Sequence, residues 1–251
     1  MRIITSFLFV LIFTWHAYAT QNSQHNDSAH ANITIQSEVS SVARGDSFWL
    51  ALTISPKEGW QHFWQNSGGR GKAPALTWST PDGISVGAVQ FPTPSHINIG
   101  HTEAYGYASE ITVIVPIYVA DDYELTTIDI TLSATWMFCS DTCTEDTLSL
   151  SLLQNIGDTI YNLDLEEQFT KARSNIPNTS FWSAEMQSDN DEMLLLVHMA
   201  PEEMIDIEEV FFFPDSNGVL LYGAEQNFSI TPEGLYIRSN REAMDPMAII
   251  L

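Results

Sequence analysis

Residues 125–153 read LTTIDITLSATWMFCSDTCTEDTLSLSLL, and this stretch decides the fold. On its first side Ile128, Ile130, Leu132, Ala134 and Trp136 take every second position, with Asp, Thr and Ser between them. On its second side Leu148, Leu150 and Leu152 alternate with Thr and Ser. A period of two is that of a strand with one buried face. Between the runs lie Cys139 and Cys143, the two cysteines of the chain. Four extended residue steps span roughly 13 Å, whereas the Cα atoms of a disulfide sit about 4.4–6.8 Å apart. Bonding the two therefore requires Ser140-Asp141-Thr142, all turn formers, to reverse the chain. The pair is expected at a hairpin tip or on facing strand ends, near solvent.

Working outward, the same signature repeats. NITIQSEV (32–39), SFWLALTI (47–54), WQHFWQ (60–65), ALTWS (75–79), ISVGAVQF (84–91) and EITVIVPIYV (110–119) are short and rich in Val, Ile, Thr and aromatics. Gly, Pro, Asp and Asn clusters separate them, which is the pattern of an antiparallel sandwich. Pro116 inside one run predicts an edge strand or a bulge there. At Asn162 the period changes: Leu165, Phe169, Ala172 and Ile176 fall at helical spacing. Asp164 with Glu167 offers a cap, and Pro177 stops the helix. Strand-like runs resume in FWSAEMQ, EMLLLVHM, EEVFFFP, GVLLYG, QNFSITP and GLYIRSN, and the sequence ends on the apolar MAIIL, a final strand or one cut short. The expected fold is all-β: a sandwich, a connecting helix and a second, smaller β domain.

The N-terminus carries Arg2, an apolar run from Ile3 to Trp15 and an Ala17-Tyr18-Ala19 cleavage site. That run is shorter than the ~20 residues that span a bilayer. We read 1–19 as a signal peptide, 20–31 as a flexible leader, 32–155 as the cysteine-bearing domain, 156–178 as the helical connector and 179–251 as the second domain. Export places the cysteines where disulfides persist. Lysine and arginine total 9 against 32 acidic residues, a net charge of -23. Nucleic acid and anionic lipid are repelled by such a chain and are not expected partners.

For the cysteine pair three readings stay open: a structural disulfide, a redox couple and a metal site. A ring this small constrains the unfolded chain less than a long loop, so it is a poor staple. Asp141, Glu145 and Asp146 lie close by, with no Lys or Arg within ten residues, which predicts a raised thiol pKa and a reducing couple. His62, His96, His101 and Met137 lack the spacing of a metal site, and no cofactor or metal is expected. No G-x-S-x-G elbow is present, and GGRG at 68–71 does not make a phosphate loop.

GWQHFWQNSGGRGKAPALTW (59–78), VQFPTPSHINIG (89–100), AYGYASEITVIVPI (104–117) and ATWMFCSDTCTEDTLSLSL (134–152) form a long, collinear series. This series resembles the periplasmic N-terminal domain of the DsbD/ScsB thiol:disulfide interchange proteins. VFFFPDSNGVLLYGAEQNF (210–228) and EGLYIRSN (233–240) resemble the smaller β domain of the ScsB-like branch. The resemblance implies an immunoglobulin-like sandwich with Cys139 and Cys143 as redox cysteines, Cys143 being the attacker. It implies protein-disulfide reductase activity in the periplasm of a Gram-negative host, of the kind that serves cytochrome c biogenesis and copper tolerance. The implied partners are thioredoxin-fold or other disulfide-bearing proteins, with a membrane electron-donor domain that these 251 residues do not include. Tyr105, Tyr107, Trp136 and Phe138 are expected around the pair, shielding it; ordinary core packing is their alternative. Thr144-Glu145 stands where the family has Ile-Pro, and NSGGRGKAP departs from NPGDSGLP. The rival function is a non-catalytic binding or assembly module, copper-related among others, with a permanent disulfide.

Overall fold

The computed structural model describes residues 23–69, 71–100, 102–188, 192–204, 207–216, 218–221 and 223–240. The strands β1 (Ser23–Asp27), β2 (Ala31–Ser37), β3 (Val39–Val42), β4 (Ser47–Pro56), β5 (Gln61–Phe63), β6 (Ala75–Ser79) and β7 (Ile84–Val86) lead to a hairpin. That hairpin is β8 (Ser95–Ile99) and β9 (Thr102–Tyr107). Next come β10 (Ile111–Val119), the long pair β11 (Thr127–Cys139) and β12 (Cys143–Ile156), and the short β13 (Ile160–Tyr161). A 3-10 turn leads into α1 (Glu166–Asn175), and β14 (Ser183–Ser188), β15 (Glu192–His198), β16 (Gln226–Thr231) and β17 (Gly234–Asn240) form the second unit.

Two sheets face each other in the first unit, an immunoglobulin-like sandwich. One runs β1-β2-β4-β10-β7; the other runs β13-β3-β12-β11-β5-β9-β8, with β6 also paired to β11. The alternation in the sequence sets which residues meet. Ile128, Ile130, Leu132, Ala134, Trp136 and Phe138 of β11 and Leu148, Leu150 and Leu152 of β12 point inward and are buried. They meet Ile33 and Ile35 of β2, Leu50, Leu52 and Ile54 of β4, and Val113, Val115 and Ile117 of β10. Each such side chain contributes about 1.5–3 kcal/mol on leaving water. β11 and β12 pair without interruption from Thr127 opposite Asn155 to Cys139 opposite Cys143.

Four expectations need correction. Within 20–31, Ser23–Asp27 is not a flexible leader but an edge strand, paired with Asn32–Gln36 of β2. Its polar side chains give no hydrophobic signal, because the ladder is made by backbone groups alone. Pro116 lies in an inner strand, between β4 and β7. Its carbonyl accepts from Gly87 N at 2.8 Å, and the pairing shifts by one residue between Ile117–Val86 and Ile114–Gln90, so the expected bulge is present although the edge is not. The helix carries no Asp164 cap: Asn162 and Leu165 stand at the two N-cap positions without side-chain bonds. Its apolar stripe holds, with Phe169 and Ala172 packed on Ala51 and Ile114, on the outer face of the five-stranded sheet. The run VFFFP forms no strand, and neither do the described residues of GVLLYG.

The second unit is a four-stranded sheet, β14-β15-β17-β16, with Met193, Leu195, Leu235 and Ile237 on its buried face. Phe212 joins that core and is fixed by Gln226, whose Oε1 accepts from Phe212 N at 2.8 Å while its Nε2 donates to Phe212 O at 2.9 Å. Among the described residues no helix is long and apolar enough to cross a membrane.

Candidate active site

Cys139 ends β11 and Cys143 begins β12, directly opposite each other. Their sulfurs are bonded at 2.06 Å, with Cα atoms 4.1 Å apart. Ser140 N donates to the Thr142 carbonyl at 3.0 Å and closes the turn. The two cysteines differ in environment. Cys139 is fully buried, while Cys143 is exposed. The sheet explains the difference. β11 has β5 on its other side, with Cys139 opposite Gln61, whereas β3 joins β12 only at Asn155 and Ile156, far from the tip.

Adjacent residues of a strand face opposite ways, and here that separates two clusters. Cys139 packs with Phe63 of β5, Ile97 of β8 and Ala104 of β9, and Ile99 and Met137 partly cover the group. The β8–β9 hairpin is thus the lid on the buried sulfur-bearing residue. Gly106 lets it sit close: a Cβ there would lie 2.2 Å from the His62 carbonyl and 2.7 Å from Ile97 Cδ1. Gly71 likewise presses a loop against the Phe63 ring, 2.1 Å from where its Cβ would be.

Trp136 and Phe138 turn the other way, into the sandwich core, and both are fully buried. They meet His62 edge-on, each with ring centroids 5.9 Å away. Tyr107 packs on His62 at 5.1 Å and donates its hydroxyl to the Pro92 carbonyl at 2.6 Å. Burial pushes the Tyr107 phenol up. Burial also pushes His62 down to about 3, so its ring is neutral. Its Nδ1 accepts from Trp136 Nε1 at 3.3 Å, which leaves the proton on Nε2, and Nε2 has no partner. His62 is therefore a core residue and not a base for Cys139. Tyr105 lies on the outer side of the lid, over Gly68 and against His96 at 5.3 Å.

The sequence profile of the family described as thiol:disulfide interchange protein DsbD, N-terminal, matches residues 30–155. The chain belongs to this DsbD N-terminal family. Among solved structures, the N-terminal periplasmic domain of ScsB from Proteus mirabilis is similar: 19% identity, 89% of this chain and 86% of that one covered, TM-score 0.63. That likeness extends the shared fold across both β units. The yeast GGA1 GAE domain (14% identity, 52% of this chain and 97% of that one, TM-score 0.30) is too distant to carry an argument. A conserved domain protein from Bacillus anthracis (9%, 91% and 74%, TM-score 0.32) is equally so. No protein of curated function matches in sequence.

In this DsbD-type domain the charge around the cysteines differs from the count along the chain. Lys72 Nζ sits 2.6 Å from Glu145 Oε1, and His30 Nδ1 sits 2.8 Å from Asp146 Oδ1. His30 also packs on Trp60, with ring centroids 4.2 Å apart. Two of the three acids that were expected to raise the thiol pKa are thus held by groups from distant segments. Sequence reasoning missed Lys72, His30, Ile97 and Ala104, since nothing in their local patterns ties them to position 139. His62 and His96 make separate contacts, His101 lies outside the described residues, and among the described residues no three metal-ligating side chains converge. A cavity of about 550 Å³ beside α1 is lined by Trp49, Phe169 and Arg173 and touches neither cysteine.

Proposed function

We propose that the chain is a periplasmic thiol:disulfide exchange domain, passing reducing equivalents through Cys139 and Cys143 to oxidised partner proteins. The observation that carries this reading is the asymmetry of the disulfide, with Cys143 exposed and Cys139 buried beneath β8–β9. Membership in the interchange family supplies the reaction class. In the reduced chain Cys143, as thiolate, attacks one sulfur of the partner's disulfide, and the partner's second sulfur leaves as thiolate. A mixed disulfide through Cys143 results. The Cys139 thiolate then attacks Cys143 Sγ, closes the intramolecular bond and releases the partner's other sulfur. The partner gains two electrons, and two protons restore its thiols. The couple is reset by a thiol donor that attacks Cys143 Sγ, the accessible sulfur; a membrane-embedded electron donor fits that role. The signal peptide over 1–19 delivers the chain to the compartment where such traffic occurs.

The test is equilibration in graded redox buffers, read by mass after alkylation, with single-cysteine trapping. A reversible transition among thioredoxin-family potentials, above about -300 mV, is expected. Cys139→Ser should accumulate a mixed disulfide with an oxidised thioredoxin-fold protein, and Cys143→Ser should not. A bond that stays closed in the most reducing buffer would make it a structural staple and end this reading.

A further inference from the structure

The lid over Cys139 is gripped on its other side. Along β8 and β9, Ile97 and Ala104 face Cys139, whereas His96 and Tyr105 face away from it. Those outward rings meet the run VFFFP of the second unit. Phe211 lies 4.3 Å from His96 between ring centroids, and Phe213 lies 5.4 Å from His96, 5.1 Å from Tyr105 and 6.4 Å from Trp64. Phe212, between them, turns back into the core of the second unit. This alternation explains why three phenylalanines stand in a row: the segment is extended and apolar on both sides because each side is against a different core.

Backbone and side-chain bonds fix the join. Asn66 Nδ2, buried, donates to the Pro214 carbonyl at 2.7 Å, and Gln65 is bonded to Asp215. Gly223 approaches Glu103 closely enough that a Cβ would lie 3.5 Å from Oε2. His96 is held neutral-leaning by burial, against the opposing pull of Glu103. The hairpin is therefore a two-sided layer, with the buried cysteine below and the second unit above.

We propose that Phe211 and Phe213 are positioning residues for the disulfide: by clamping His96 and Tyr105 they hold the β8–β9 hairpin over Cys139. The second unit thereby sets how far Cys139 is exposed during exchange. This rests on the exchange function proposed above, but its test needs no partner protein, so the two can fail separately. A lid held from one side only opens more often, since a segment with fewer buried contacts has a lower local opening free energy.

The experiment uses the full chain in its reduced form. A small alkylating reagent is added, and modification of Cys139 and Cys143 is followed separately by mass. Cys143 is the internal control. In Phe213→Ala the Cys139 rate should rise about tenfold relative to Cys143, which corresponds to about 1.4 kcal/mol of lost contact. Phe213→Leu should restore most of the protection, and Phe211→Ala, already half-exposed and safe for folding, should raise the ratio several-fold. A Cys139-to-Cys143 ratio unchanged in both alanine variants overturns the proposal. So does a rise of both rates together, which would mean general loosening of the hairpin. Should Phe213→Ala not fold, Phe211→Ala alone decides. Failure of the reduced chain to exchange with oxidised partner proteins would count against the exchange function and leave the clamp result standing.

Discussion

His62 should make this domain sensitive to mild acid, and the size of the effect can be worked out. The imidazole is fully buried, and burial takes its pKa from 6.5 to about 3. In the unfolded chain it titrates normally, so below about pH 6.5 the unfolded state binds a proton that the folded state refuses. Stability is thus complete above the unfolded pKa and falls as the pH drops towards the folded one. Each pH unit in that window is worth up to about 1.4 kcal/mol. Between pH 7 and pH 5 the loss is about 2 kcal/mol, and by pH 3 it approaches roughly 4–5 kcal/mol. His62→Gln removes the titration while keeping an acceptor for Trp136 Nε1. Urea denaturation of both proteins at about pH 7, 6 and 5 isolates the contribution, because every other titrating group is common to them. The difference in stability between wild type and variant should change by about 2 kcal/mol over that range. Parallel pH profiles for the two proteins, or an imidazole NMR titration centred near 6, would refute the reasoning.

Two more outcomes follow from the packing of the hairpins. Gly106→Ala puts a methyl 2.2 Å from the His62 carbonyl, so β9 must lift from β5; the cost should be about 2–3 kcal/mol in urea, with faster alkylation of Cys139, and an unperturbed midpoint would refute the close approach. Replacing both cysteines by alanine opens a ring of sequence separation 4; loop-closure entropy puts the loss at roughly 2 kcal/mol, and a domain that no longer folds would show the bond to be a required staple.

Much of the fold was legible because its signals are local. The β11–β12 hairpin needed only alternation on both sides of CSDTC, and the cysteine turn lies where the distance argument required. What remained hidden depends on chain-distant contacts. Ile97 and Ala104 sit in a short run broken by His, Asn, Gly and Glu, and nothing near them marks them as the cover of a sulfur 35–42 residues away. The same holds for Lys72 and His30, which reach the hairpin from 71 and 113 residues before Cys143 in the chain. VFFFP was misread as a strand because an extended segment between two cores is apolar on both faces, as a central strand is. β1 gave no apolar signal at all, being an edge paired through its backbone.

The sheet itself argues for a bond that can open. A redox couple needs both of its states folded, so the disulfide must not be what holds the hairpin together. Here β11 and β12 pair from Thr127–Asn155 to the cysteines, and their inward leucines and isoleucines form a buried face that does not include the sulfurs. The bond sits at the last pair, where it closes the shortest loop and adds the least constraint. On Cys139 the sandwich supplies a second hold through Gln61 and the β8–β9 lid, one that does not depend on the sulfur–sulfur bond. Cys143, lacking any strand on its far side, is the one left free to turn towards a partner. The proposed exchange calls for a buried resolving cysteine and an exposed attacking one. Placing the pair at the interior of the β11–β12 ladder would instead bury both sulfurs and tie their reduction to strand separation.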